Sequence, residues 1–447
     1  MPAQLTDILD SAPLNAFHKK LLIYSSGGPF LDGYVLSIVG IALVQATPQL
    51  NLSLTWQGLI GASALIGIIL GGFFGGVFTD KYGRHILYTI DLIAIGVSSI
   101  AQFWVESAMS LFVWRLILGI SVGADYPIAT SLLAEFTPKK YRGPFIGFIL
   151  AMWFVGAAVA YVVGEWMLGI GPDGWRWMLA SAALPTAIFM FMRRGTPESP
   201  RWLLKNGRYA EANSVLTMVC GKHDQVIDVD EESNAQNVGV SALFKAGYGP
   251  RMIFITIFWS CAIIPLFAVY AFCPTIFEAL GLTERAGTSG SSVIMVLFLL
   301  GTVISLLVIN KLGRRLLLLH SFFWSGLALL FLGIYHDSSP YVIMLFFSAY
   351  AIFTGGAQTL QFVYPNELFP TEIRASAVGL ASSLSRFGAA IGTYLVPVAI
   401  ADLGIGTTMI IAAAITGVGF LVSWKMAPET RHHSLEDAAC LSKTVEI

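Results

Sequence analysis

The sequence predicts an all-α membrane protein with twelve transmembrane helices, arranged as two parallel six-helix halves around a central cavity. Three observations predict this. The 447-residue chain is 56% hydrophobic and 12% charged, whereas a soluble domain carries about 25% charged residues. Its apolar runs are long enough to span a bilayer, for which roughly 20 residues are needed. Short segments near the helix ends recur at an almost constant offset.

Six runs free of Asp, Glu, Lys, Arg and His meet the length requirement: 56–79, 143–164, 252–277, 286–310, 338–366 and 403–424. Five more contain one or two ionisable groups: 21–46 (Asp32), 86–105 (Asp91), 107–134 (Arg115, Asp125), 316–335 (His320) and 375–400 (Arg386). The short run 177–192 completes twelve. The first run is long enough to span and has no small-residue cleavage site after it, so no cleaved signal peptide is expected.

Lysine and arginine placement sets the expected orientation. With both termini inside, 22 of the 26 positive residues fall on the cytoplasmic side. Arg176 and Arg285 fall outside, and Arg115 and Arg386 lie within spans. The expected location is therefore the plasma membrane, the inner membrane of a bacterium, with several passes and both termini cytoplasmic.

The repeat appears three times. DKYGRH at 80–85 matches NKLGRR at 310–315, offset 230. EFTPKKYR at 135–142 matches ELFPTEIR at 367–374, offset 232. PESPR at 197–201 matches PETRH at 428–432, offset 231. Each pair lies at a cytoplasmic helix end, so the halves share one orientation. The expected organisation is a first bundle over 1–195, a cytoplasmic linker with short helices over 196–248, a second bundle over 249–427 and a tail over 428–447. Parallel halves with a binding site between them describe a large class of secondary transporter.

The same segments carry a family likeness. Gly76, Asp80, Lys81, Gly83 and Arg84 resemble the G-x-x-x-D-K-x-G-R signature of the major facilitator superfamily, and Arg115, Gly119 and Gly123 resemble its helix-4 signature. GWRWM at 174–178, PESPRWLL at 197–204 and YPNELFPTEIRA at 364–375 are similar to the sugar-porter-like branch, especially its bacterial metabolite:proton symporters. The resemblance spans nearly the whole chain and implies the major facilitator fold, with a monomer as its default state.

The recurring cytoplasmic charges are expected to gate the halves as they rock: Asp80, Gly83, Arg84, Glu135, Arg142, Glu198 and Arg201 in the first half, and Gly313, Arg314, Glu367, Arg374, Glu429 and Arg431 in the second. Asn310 replaces Asp80 in the second copy, which implies a weaker latch there. Setting topology and capping helices is the plainer reading of the same charges.

At about 1.5 Å per residue, Asp32, Arg115 and Arg386 reach one level, roughly 18–20 Å up in a ~30 Å hydrocarbon core. Intramembrane ionisable groups face a bundle interior or a watery cavity and find partners. Asp32 is therefore expected to pair with Arg115 and to break the pair on taking a proton. The resemblance implies the same, since sugar-porter relatives couple through a helix-1 acid and a helix-4 arginine. A permanent buried salt bridge is the alternative. Asp125 lies about 80° around the helix from Arg115 and ~15 Å deeper. Its segment resembles that of phosphate:proton symporters, which implies a proton-linked role; a polar contact between helices is the alternative. Arg386 resembles the helix-11 basic residue of organic-anion carriers, which implies a partner for a substrate carboxylate; a partner for Asp125 or for a backbone carbonyl is the alternative. Asp91 is expected in the cytoplasmic charge network.

The resemblance also implies that helices 1, 4, 7 and 10 line the cavity. They carry Tyr34, Tyr126, Trp259, Tyr270, Gln358, Gln361 and Tyr364, which are expected to shape the substrate site, although packing alone would account for each. Aromatic walls with a few amides suit a small ring-bearing or hydroxylated metabolite. The helix-7 glutamine pair of hexose carriers is missing from IFWSCAIIPLFAVY at 257–270, a departure that speaks against a hexose, and the likenesses of Arg386 and of the Asp125 segment imply an anion, so an organic acid anion carried with protons is the expected substrate. A sugar or polyol:proton symporter, an inorganic phosphate:proton symporter and an uncoupled facilitator stand as alternatives.

Other classes find little support. A net charge of −1 gives no reason to expect nucleic acid as a partner. The four cysteines imply no disulfide framework, and the seven histidines show no metal-ligand spacing. No phosphate-cradling G-x-x-x-x-G-K-[ST] motif and no nucleophile–base constellation occur. No cofactor, no metal and no enzymatic activity are expected; the expected partners are a small molecule, protons and the lipid bilayer.

Overall fold

The computed structural model describes residues 13–431, apart from 83, 194–196, 199, 206, 221–243 and 245–246, together with Ala439. Fifteen α-helices form the described chain. In the first half these are α1 (Ala16–Gln49), α2 (Leu54–Tyr82), α3 (Arg84–Ala101, followed by a 3-10 turn, Gln102–Trp104), α4 (Ala108–Phe136), α5 (Lys139–Leu168), α6 (Gly174–Ser181) and α7 (Ala183–Met192). Two short helices follow, α8 (Pro200–Lys205) and α9 (Tyr209–Cys220). The second half holds α10 (Gly249–Ala279), α11 (Glu284–Leu312), α12 (Arg314–Ile334), α13 (Pro340–Leu368), α14 (Thr371–Leu403) and α15 (Ile405–Met426).

Local chemistry sets many of these ends. Asn15 caps α1 by accepting from the His18 amide at 3.3 Å, and Ser107 caps α4 by accepting from the Ser110 amide at 3.2 Å; such side chains satisfy amides that a helix start leaves open. Gly313 and Gly404 end their helices at φ of 86° and 80°, a region that a Cβ disfavours. The expected span 177–192 is two helices broken at Ala182, because Pro185 has no N–H to offer the Ser181 carbonyl one turn back.

Among the described residues, nine helices are long and apolar enough to cross a membrane. The helix α3, the apolar stretch Ala108–Ala124 of α4, and the α6–α7 pair fall short by that measure and complete the twelve by position. Exposed side chains such as Leu307, Leu345, Phe191 and Trp166 cover the perimeter.

The helix pairings repeat across the halves. In the first, α1 packs on α5 and α2 on α4; in the second, α10 packs on α14 and α11 on α13. Between halves the main contacts are α2 with α14, α5 with α11 and α1 with α10. Since α11 is the counterpart of α2 and α14 that of α5, the first two contacts are one contact related by a pseudo-two-fold axis. Glycine permits the closest approaches. A methyl group at Gly119 would lie 2.2 Å from the Ala64 carbonyl oxygen, and one at Gly355 would lie 2.2 Å from the Gly301 carbonyl carbon. The small residues of the helix-4 motif therefore let α4 touch α2 backbone to backbone.

Two faces follow from the connections. On the linker face, Asn15 donates to the Val219 carbonyl at 2.7 Å and Arg193 to the Tyr24 carbonyl at 3.1 Å. Leu203, Leu216 and Val219 of the short helices share a small core there with Leu21, Phe136 and Phe145. On the far face, Trp175 donates to Gln49 at 2.8 Å and to Gln45 at 3.0 Å, while Arg176 donates to the Phe103 carbonyl at 2.9 Å.

Candidate functional site

The charges within the spans meet differently from the sequence expectation. Asp32 is 3% exposed and Arg115 is 1% exposed. Arg115 does not pair with Asp32. It reaches from α4 to the α1 backbone and donates a terminal nitrogen to the Val35 carbonyl at 3.3 Å. The carbonyl is fixed by the helix one turn beyond Asp32, so it captures the guanidinium first. The cation of Arg386 on α14, in the other half, attracts the Asp32 carboxylate. Arg193, at the end of α7, attracts it too, and Asp91 on α3 repels it. Asp32 Oδ1 accepts no hydrogen bond among the described residues.

Asp91 is 6% exposed. It lies close enough to Asp32 to act on its charge. Arg386 is half-buried, and its guanidinium lies 5.1 Å from the Phe267 ring centroid on α10, an attractive placement for a cation. Asp32 and Arg386 are thus opposite charges contributed by the two halves.

The expected pocket residues divide. Gln361 donates to Gln358 at 2.9 Å and Gln358 donates to the Ala262 carbonyl of α10 at 3.1 Å, so both amides are buried in one relay. Trp259 packs edge-on to Phe362, and its indole nitrogen has no partner among the described residues. The Tyr270 ring contacts Trp153, Phe267 and Phe298. Two tyrosine hydroxyls are engaged by other protein groups. Tyr34 shares a hydrogen bond with Ser181 at 2.7 Å. Tyr364, expected at the substrate site, donates to the Pro428 carbonyl at 2.9 Å on the linker face, because its place near the end of α13 puts it beside the returning tail.

The second-half gating residues assemble tightly. Arg314 donates through Nε and a terminal nitrogen to one oxygen of Glu367, at 3.2 and 2.9 Å. Glu429 accepts the backbone amides of Arg314 and Arg315 at 2.9 and 3.1 Å, capping α12 just after the Gly313 turn. Arg431 donates to the Lys311 carbonyl at 2.8 Å and Arg374 to the Phe369 carbonyl at 3.1 Å. Glu198 is half-buried beside the short helices. Gly83 and the side chains of Asp80, Arg84, Asp125, Tyr126, Glu135, Arg142 and Arg201 lie outside the described residues.

Residues 20–441 match the family described as Sugar (and other) transporter. The chain belongs to that family. The transporter is 44% identical over 427 residues, 95% of each chain, to YaaU of Escherichia coli (strain K12), whose name assigns it provisionally to metabolite transport. It is 27% identical over 428 residues, 92% of each chain, to the arabinose-proton symporter of Bacillus subtilis (strain 168). The inward-open structure of the xylose transporter XylE from E. coli matches the transporter with a TM-score of 0.79 at 22% identity, covering 94% of this chain and 99% of that one. That likeness bears on fold, and the fold is that of the major facilitator superfamily.

Sequence reasoning missed Arg193 as a site residue. It stands in the FMRR segment that ends the sixth span, where a basic residue reads as a topology signal. Only its burial, at 6% exposure, and the fold of α7 onto α1 mark it as part of the charge group around Asp32.

Proposed function

We propose that this protein is a secondary active transporter that carries a small metabolite with protons by alternating access, and that it is not an enzyme. The observation that carries the reading is Asp32. It is a buried carboxylate with an oxygen free of hydrogen bonds, in the field of a cation from the opposite half. Buried charge of this kind is costly in a membrane interior and marks proton or substrate paths. Protonation of Asp32 weakens its attraction to Arg386 and so loosens one tie between the halves. The arabinose-proton symporter among the relatives supports a proton as the coupling ion.

An organic acid anion is the substrate class that Arg386 supports. Its guanidinium is held on Phe267 and half-exposed, a position from which it can offer two parallel donors to a carboxylate. A sugar or polyol is the second reading, favoured by the buried Gln358–Gln361 amide relay and by the sugar named for the same relative. The excess of lysine and arginine at the linker face supports a plasma-membrane location with that face cytoplasmic. Uptake into proteoliposomes, with and without an imposed proton gradient and with an ionophore control, tests the reading. Accumulation that ignores the gradient would refute symport, and no flux of organic acids, sugars or phosphate would refute transport of these classes.

A further inference from the structure

The far-face contact between the halves rests on three side chains of α5: Tyr161 and Glu165, four residues apart and so on one face, and Trp153, eight residues before Tyr161 and about 80° around the helix from it. The Trp153 ring meets the Tyr270 ring edge-on, at 5.1 Å between centroids and 81°. The Tyr161 hydroxyl donates to the Tyr270 backbone carbonyl at 2.8 Å. The Glu165 carboxylate accepts two serine hydroxyls from α11, Ser289 on one oxygen and Ser292 on the other, the latter at 2.7 Å.

The Tyr270 carbonyl is available for a particular reason. Its helical partner would be the amide of residue 274, which is a proline and has none. The helix also leaves α geometry at Phe272, with φ −138° and ψ 21°. A buried carbonyl freed in this way needs a donor, and Tyr161 supplies it across the interface. Gly40 of α1 makes the room. A methyl group there would lie 2.2 Å from the Tyr161 hydroxyl and 2.5 Å from the Tyr270 oxygen.

We propose that Tyr161 and Glu165 form a two-point clasp that closes the far face and must release before a solute passes through it. The proposal rests on the alternating-access reading above. Release leaves the Tyr270 carbonyl without its donor and the Ser289 hydroxyl without its acceptor, while Ser292 keeps the Thr288 carbonyl at 3.4 Å, so opening requires water to enter with the solute. A hydrogen bond to a carboxylate contributes more than a neutral one, so losing the Tyr161 point raises the open-to-closed ratio by about fivefold and losing the Glu165 point by about tenfold or more.

The test is a spin-label distance measurement on the full chain in lipid nanodiscs. Labels go on Ile170→Cys and Arg285→Cys, both exposed on the far face, after Cys220→Ser and Cys440→Ser. Tyr161→Phe and Glu165→Ala are each expected to shift population from the short to the long distance. Glu165→Gln, which keeps an acceptor, shifts it less. Gly40→Ala shifts it with both clasp side chains intact, and the Ser289→Ala/Ser292→Ala pair substitutes for Glu165→Ala should that variant not fold. An unchanged distribution in Tyr161→Phe, or in the variants that empty the Glu165 site, overturns the clasp. Failed uptake by the wild type would remove the proposed function while leaving this distance readout intact.

Discussion

Arg115 donates to the carbonyl of Val35 and leaves the carboxylate of Asp32, one helical turn away, to cations from elsewhere. Both residues are almost fully enclosed, so their burial alone suggests a pair. The bond to Val35 instead makes Arg115 a strut between α4 and α1, while Arg386 from across the interface and Arg193 act on Asp32.

A double-mutant cycle separates these roles. Groups without a shared partner give additive effects to within about 0.5 kcal/mol, and coupled ones depart from additivity by more. Asp32→Asn with Arg386→Gln is expected to show the larger coupling in thermal unfolding, and Asp32→Asn with Arg115→Gln the smaller. The reverse order would restore the pair that Arg115 was expected to make.

Asp32→Asn is expected to abolish uphill accumulation driven by a proton gradient while leaving part of the exchange of labelled for unlabelled solute. The amide cannot cycle between charged and neutral forms, yet it fits the same space. Accumulation at the wild-type level in Asp32→Asn vesicles would take the proton-coupling role away from this residue.

On the linker face, Glu429→Ala is expected to cost about 1–2 kcal/mol, because the Arg314 and Arg315 amides at the start of α12 lose their acceptor. Gly313→Ala should cost at least as much. Its methyl group would meet a Glu429 oxygen at 2.5 Å, and its backbone sits at φ 86°. Chemical denaturation in detergent reads both, and a stable Glu429→Ala variant would reduce this carboxylate to a surface charge.

Gly355→Ala tests the close packing of α13 on α11. The added methyl group has only backbone to push against, at 2.2 Å from the Gly301 carbonyl carbon. Overpacking of this kind costs typically about 1–3 kcal/mol. The expected result is a lowered melting temperature, with Gly379→Ala, where nothing lies within 4 Å, as the tolerated control.

Arg386→Ala distinguishes the substrate readings. An organic acid that raises the melting temperature of the wild type by mass action should lose that effect in the variant, whereas a sugar bound through Gln358 and Gln361 should keep it. Retention of an organic-acid shift in Arg386→Ala would mean that another group holds the carboxylate.

The sequence by itself determined the membrane class, the twelve-span reading, the repeat and the family resemblance. These depend on quantities that are local or periodic along the chain: apolar run length, the placement of lysine and arginine, and motifs at helix ends. It also singled out Arg314, Glu367 and Glu429, which do assemble, because their spacing follows the repeat. Only the tertiary structure decided which charges meet. Depth along a helix is one coordinate, expected from residue counting to be common to Asp32, Arg115 and Arg386, but pairing also depends on helix rotation and on which acceptor lies nearer. The Val35 carbonyl, the fold of α7 that carries Arg193 inward, and the carbonyl freed by Pro274 for Tyr161 all arise from backbone positions in neighbouring helices, which no pattern of side chains along one helix encodes.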